Sequence, residues 1–199
     1  DLAPQLGRTG LKPKPLAKNP VDRIWGRERP PPPTGLVVPQ PLAFAGKTSQ
    51  AKLAEVQATL RRDAADVVIL TQPDSIAWLF NIRGSDIAHN PVVLAFAIVP
   101  AKGKPELFVD SAKLSNEVRR ELERVAAIDE PGALGARVAQ LKSEGRPVRL
   151  DPETASYALA RGLGAKIVSA GADPCIGLKA IKNPAEVAGA RKAHIRDGA

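Results

Sequence analysis

Several residue types are scarce in this 199-residue chain, and each scarcity excludes a class of protein. Methionine is absent, aromatic residues make up 4%, and there are two histidines and one cysteine. The single cysteine, Cys175, cannot form an intramolecular disulfide, which excludes a disulfide-stabilised extracellular scaffold and favours a reducing compartment. No stretch approaches the roughly 18 consecutive apolar residues of a transmembrane helix, so we expect no membrane partner. No secretory leader is visible in the sequence, and a chain without methionine at position 1 is expected to be a fragment or a processed product.

Proline and positive charge are concentrated in residues 1–46. This stretch holds ten of the nineteen prolines, and it has seven Lys or Arg against three Asp or Glu. Because proline opposes helix and favours polyproline II, we predict a basic linker or arm here, at the end of a preceding domain. A single helical turn is expected within it at 19–25, where Trp25 packs either on a neighbouring surface or on this domain's own core.

The positive charge of the arm has two interpretations. Basic residues that bind single-stranded nucleic acid are usually interleaved with aromatic side chains, and these are not. We therefore expect a solvated basic surface and no nucleic-acid partner. The alternative is a free-standing α/β module that binds an anion or nucleic acid through the arm.

Helical and strand patterns alternate from Lys47 onward. The expected caps of three helices are Asp74, Asp151 and Asn183. Helices are predicted from 48–49 onward and at 75–80, 113–124, 131–144, 152–162 and 182–197; strands are predicted at 67–71, 92–99, 108–109, 125–128, 148–150 and 166–169. Hairpin and crossover connections both occur, which indicates an α/β fold with a mixed five- or six-stranded sheet flanked by helices. The α/β domain is placed at 47–181, followed by a helix at 182–199.

Few residues of the chain are candidates for catalysis or for metal binding. The two histidines, His89 and His194, are far apart, and no catalytic or phosphate-binding motif is present. Cys175 lies beside a proline in an apolar setting, which predicts a packed and inert thiol.

One polar segment links an apolar helix to an apolar strand, and it is the candidate site. Its residues are Arg83, Gly84, Ser85, Asp86, His89 and Asn90. The Arg83 guanidinium is suited to bind a carboxylate, oriented by Asp86 or His89. The alternative is a self-contained turn in which Arg83 pairs with Asp86, and the residues alone favour that turn.

The same region carries a family resemblance. The sequence DSIAWLFNIRGSDI at 74–87, followed by HNPV at 89–92, resembles the middle domain of cytosolic three-domain Xaa-Pro aminopeptidases, the aminopeptidase P family. Three further segments agree in order and spacing: NPVDRIW at 19–25, KAIKNPAE at 179–186 and AHIRDGA at 193–199.

The resemblance implies a creatinase/prolidase N-terminal-domain-like fold and a non-catalytic role within a metal-dependent enzyme. That enzyme would remove the N-terminal residue from peptides with proline second. The family uses two metal ions, commonly manganese, held by two Asp, one His and two Glu of a C-terminal domain. No catalytic or metal-binding residue is therefore assigned to this chain, which is expected to be inactive alone.

The resemblance also implies where the chain's partners lie. The helix at 182–199 would lead toward the catalytic domain, and Arg83–Asn90 would face that domain near the substrate entrance. The implied partners are the catalytic domain and the peptide substrate. The parent enzyme is expected to be a cytoplasmic homodimer.

Overall fold

The computed structural model describes residues 9–11, 14, 16 and 18–198, arranged in two compact units, residues 1–33 and 34–199. In the first unit, helix α1 spans Pro20–Trp25 and begins at Asn19, whose side chain accepts the Val21 N–H at 3.0 Å. The helical turn expected here is confirmed, and none of its residues is buried. Residues 1–8, 12, 13, 15 and 17 of the predicted arm lie outside the described residues.

A six-stranded mixed sheet forms the centre of the second unit. The strands of this unit are β1 Val38–Pro39, β2 Val67–Leu70, β3 Ile82–Arg83, β4 Phe96–Pro100, β5 Glu106–Phe108, β6 Ala127–Asp129, β7 Val148–Leu150 and β8 Val168–Ala170. The large sheet has the order β6-β5-β4-β2-β7-β8, and β1 pairs separately with β3. Strands β2, β4 and β5 are antiparallel neighbours, whereas β7, β8 and β6 are added in parallel. The expected α/β fold with a mixed sheet is confirmed.

Helices cover both faces of this sheet. They are α2 Leu42–Ala45, α3 Ser49–Arg62, α4 Pro73–Leu79, α5 Asn116–Glu123, α6 Leu134–Glu144, α7 Tyr157–Leu163, α8 Pro174–Ala180 and α9 Pro184–Asp197. Because side chains alternate along a strand, β2 supplies Val68 and Leu70 to one core cluster and Val67 and Ile69 to the other. Burial on both faces explains why β2 is continuously apolar.

Two of the three predicted helix caps do not begin helices in the structure. Helix α4 begins at Pro73 after Gln72, which makes no side-chain cap, and Asp74 instead pairs with Lys179. The helix predicted after Asp151 begins later, at Tyr157, with Ser156 as its cap. Asp151 is buried, and its carboxylate accepts the backbone N–H groups of Glu153 and Asp173, which offsets the cost of burying it.

Part of the predicted arm belongs to the larger unit. Residues 34–46 fold with it: Val37 is 3% exposed, and Val38 pairs with Arg83 across the small sheet. The predicted cap of α9 is confirmed, since Asn183 accepts the Glu186 N–H, and the Glu186 carboxylate also accepts the Asn183 N–H. Helix α8 was not expected from the sequence.

Candidate functional site

The chain after β3 folds back on itself as an irregular hairpin, which we call the 84–94 hairpin. Its two arms are joined by hydrogen bonds from Gly84 N–H to the Pro91 carbonyl and from Asp86 N–H to the Val92 carbonyl, both at 3.4 Å. His89 lies in the turn with a left-handed backbone, φ 62°. His89 and Asn90 are exposed, so the tip of the hairpin presents two polar side chains to solvent.

A buried ion pair anchors the base of this hairpin. Lys113 Nζ donates to Asp86 Oδ2 at 2.6 Å, and the two side chains are 5% and 0% exposed. The same carboxylate oxygen accepts the Leu94 N–H at 2.7 Å. Asp86 thus joins the second arm of the hairpin to the short 3-10 turn Ser111–Lys113, which is a structural role.

Gly84 is required by the hairpin itself. A Cβ at this position would lie 2.7 Å from Val93 Cγ2 and 2.9 Å from the Val92 carbonyl oxygen. Any side chain here would push the two arms apart. The neighbouring Ser85 is exposed, and its hydroxyl lies against the backbone of Gly35.

Arg83 lies at the start of the hairpin but does not pair with Asp86. Its guanidinium donates from one nitrogen to the carbonyls of Ala77, at 3.1 Å, and Ile82, at 2.8 Å. The pairing expected for a self-contained turn is therefore not formed, and Asp86 pairs with Lys113 instead. Burial lowers the pKa of Arg83, an effect that the negative charge of Glu186 opposes.

A buried lysine that the sequence analysis missed holds the residue before β3. Lys52 of α3 is 2% exposed. Its ammonium donates to the Trp78 carbonyl at 2.9 Å and to Asn81 Oδ1 at 2.6 Å, and lies 4.5 Å from the centre of the Trp78 ring. Asn81 adopts a left-handed backbone, φ 51°, and its amide donates to the Lys47 carbonyl. Lys52 therefore helps to fix the direction in which the chain enters β3.

The surroundings of Lys52 perturb its titration. Burial, together with the nearby positive charge of Arg83, lowers the pKa of Lys52 to about 8. A sequence signal existed, because Lys52 precedes Leu53 and lies on the helical face that carries Val56. The apolar sequence of the run Trp78–Phe80 predicts burial, which is confirmed for Leu79 and Phe80, whereas Trp78 is partly buried.

Comparison with known proteins identifies this architecture. Residues 28–186 match the profile of the creatinase/prolidase N-terminal domain. The chain belongs to that family. It is 39% identical over 207 residues to a probable Xaa-Pro aminopeptidase P of Neosartorya fischeri, and 40% identical over 203 residues to one of Podospora anserina.

The creatinase/prolidase N-terminal domain described here also matches a solved structure. The crystal structure of a cytosolic X-prolyl aminopeptidase with a di-nuclear active site, from Caenorhabditis elegans, aligns with 98% of the chain at a TM-score of 0.87 and 28% identity. The alignments cover 31% and 29% of the two fungal relatives and 32% of the nematode enzyme. The chain therefore spans less than a third of each.

The described side chains of this creatinase/prolidase N-terminal domain offer no set of donors for a di-nuclear centre. Within the described ranges, no three His, Cys, Asp or Glu residues come close enough together to hold a metal ion. His89 lies at the hairpin tip, and His194 Nδ1 lies 2.8 Å from the Ala190 carbonyl on α9. Among the residues placed by the structure, no helix is long and apolar enough to cross a membrane.

Cys175 is buried, as predicted. Its exposed fraction is 0%, and burial together with the nearby Asp173 carboxylate raises the pKa of the thiol well above its usual value. A thiol in this state is a poor nucleophile at neutral pH.

Proposed function

We propose that this domain is a non-catalytic domain of a longer, metal-dependent Xaa-Pro aminopeptidase. The longer enzyme removes the N-terminal residue from peptides that have proline second. One observation carries the proposal: nearly the whole chain aligns, at a TM-score of 0.87 and 28% identity, with less than a third of an X-prolyl aminopeptidase. In that arrangement the domain's partners are the catalytic domain and the peptide substrate, within a homodimeric cytoplasmic enzyme.

Catalysis is assigned to the part of the enzyme outside this chain. The described residues offer no set of metal donors, so two divalent ions, manganese by expectation, would be held elsewhere. When bound, such ions activate water and polarise the scissile carbonyl. The residues of this domain help to position and recognise the peptide substrate.

The 84–94 hairpin is the element proposed to face the catalytic domain near the substrate entrance. Its base is rigid, because Asp86 is tied to Lys113 and Gly84 permits close contact between the arms. Its tip exposes His89 and Asn90, which together offer hydrogen-bond donors and acceptors. A rigid support under exposed polar groups is the arrangement that loop-based recognition requires. Arg83 lies deeper and acts as a support for the hairpin.

An activity comparison tests the proposal. The full-length enzyme, supplied with manganese, should release the N-terminal residue from a tripeptide with proline second and leave the matched alanine peptide intact. The 199-residue chain should release none from either peptide under the same conditions. Turnover by the purified chain, or a full-length protein that does not distinguish the two peptides, would contradict the assignment.

A further inference from the structure

A cavity of about 230 Å³ lies beside Lys52, where the start of α9 meets α3, α4 and α8. The apolar part of its lining includes Ala45, Trp78, Leu178 and Ile181; the charged part consists of Lys47, Lys52, Lys182, Glu55 and Glu186. Its volume corresponds to roughly eight water molecules at about 30 Å³ each. That space is enough for a carboxylate group with a short aliphatic chain.

Most of the charged groups along this cavity already have charged or polar partners. Glu55 pairs with Lys47 at 2.5 Å, and the Glu186 carboxylate accepts the Asn183 N–H at 2.8 Å. Lys182 Nζ donates to the Lys179 carbonyl at 2.6 Å. Neither the Glu55 nor the Glu186 carboxylate therefore forms an ion pair with Lys52.

Lys52 carries a buried charge whose hydrogen-bond partners are both neutral. Its ammonium has three N–H donors, and two are used by the Trp78 carbonyl and the Asn81 side chain. Among the residues that the structure places, no carboxylate forms an ion pair with Lys52: the negative charge of Glu186 acts on it without a direct contact, and Arg83 adds a second half-buried positive charge nearby. Burying an ammonium that has no direct ion pair costs free energy, which an anion in the cavity would reduce.

We propose that this cavity binds a small monocarboxylate, held by the Lys52 ammonium and packed through its aliphatic chain against Trp78 and Leu178. The site does not depend on the peptidase activity of the longer protein. Two sources share this chemistry, a free aliphatic acid and a free amino acid. An amino acid would in addition bring its ammonium group near Glu55 or Glu186.

Titration of the 199-residue chain with isovalerate and with leucine, followed by two-dimensional ¹H–¹⁵N NMR at pH 7, tests the site. Leucinamide, which lacks the carboxylate, is the control ligand. We expect saturable shifts at the Trp78 indole and the Leu178 amide with at least one carboxylate, and none with leucinamide. Tighter binding of isovalerate indicates an aliphatic acid, and tighter binding of leucine indicates an amino acid.

Two variants test the role of Lys52. Lys52→Met should weaken binding at least tenfold, whereas Lys102→Met, at an exposed lysine, should leave it unchanged. If Lys52→Met does not fold, Leu178→Phe narrows the cavity without altering its charge and should also weaken binding. Wild-type affinity in the folded variant, shifts centred away from the cavity, or no saturation with either carboxylate would overturn the proposal.

Discussion

Lys113→Met should destabilise the domain strongly, because it leaves the Asp86 carboxylate buried without its counter-charge. The two side chains are 5% and 0% exposed and their charged atoms lie 2.6 Å apart. Removing one partner of a buried pair costs about 3–5 kcal/mol. The Leu94 N–H bond to Asp86 remains, but the second carboxylate oxygen, Oδ1, has no partner among the described residues.

Thermal and urea unfolding measure this effect. For a domain of this size each kcal/mol lowers Tm by about 2–4 °C, so the expected loss is roughly 6–20 °C. Lys47→Met is the matched control, since Lys47 and Glu55 are 2.5 Å apart but 55% and 35% exposed. An exposed pair is worth about 0–1 kcal/mol, so the control should change Tm by at most a few degrees.

The double variant Asp86→Asn with Lys113→Met supplies the decisive comparison. The double variant removes both charges, so it should lose less stability than Lys113→Met alone. A loss below about 1 kcal/mol for Lys113→Met, or a double variant less stable than the single one, would refute the anchoring role of this pair.

Two further predictions concern the same region. Gly84→Ala should destabilise the domain by about 1–3 kcal/mol in urea unfolding, because its methyl group would meet Val93 and the Val92 carbonyl. Gly132→Ala, where a Cβ has nothing within 4 Å, is the control and should be nearly neutral. Equal losses of stability in the two variants would contradict the close contact at Gly84. Stability should rise from about pH 8 toward pH 10.5, because the folded-state pKa of Lys52 lies near 8 and the unfolded chain still binds its proton in that interval. Other charged or titratable groups also act on this lysine, namely Arg83, Lys47, Glu186 and Cys175. The slope of stability against pH is therefore compared with that of Lys52→Met, which should lack the rise. Identical slopes in the two proteins would contradict the burial of a charged Lys52.

Local sequence signals predicted some elements. The cap Asn183 was predictable because a cap and the N–H group that it bonds lie within one helical turn. The strand at 67–70 was predictable because its residues are continuously apolar and mostly β-branched, although the strands that it pairs with are distant in sequence. From the sequence, Asp74 and Asp151 were expected to cap helices in the same way as Asn183. In the structure, Asp74 pairs with the distant Lys179, and Asp151 bonds both the nearby Glu153 N–H and the distant Asp173 N–H.

The base of the candidate site was not predictable for the same reason. Asp86 and Arg83 are three residues apart, so a local ion pair was the natural expectation, yet Asp86 pairs with Lys113, 27 positions away. The contact of Lys52 with Asn81 joins a helix to a later loop. Only the folded chain brings these groups together, so sequence identified the polar segment but not which of its residues are structural.

The most direct test of the proposed role is the kcat/KM of the full-length enzyme carrying His89→Ala and Asn90→Ala together. Both side chains are exposed at the hairpin tip, so their loss should leave Tm unchanged. Each lost hydrogen bond costs about 0.5–1.5 kcal/mol, so the loss of two should lower kcat/KM for a peptide with proline second by roughly 5- to 150-fold. Unchanged kcat/KM with unchanged Tm would contradict a hairpin that faces the substrate entrance.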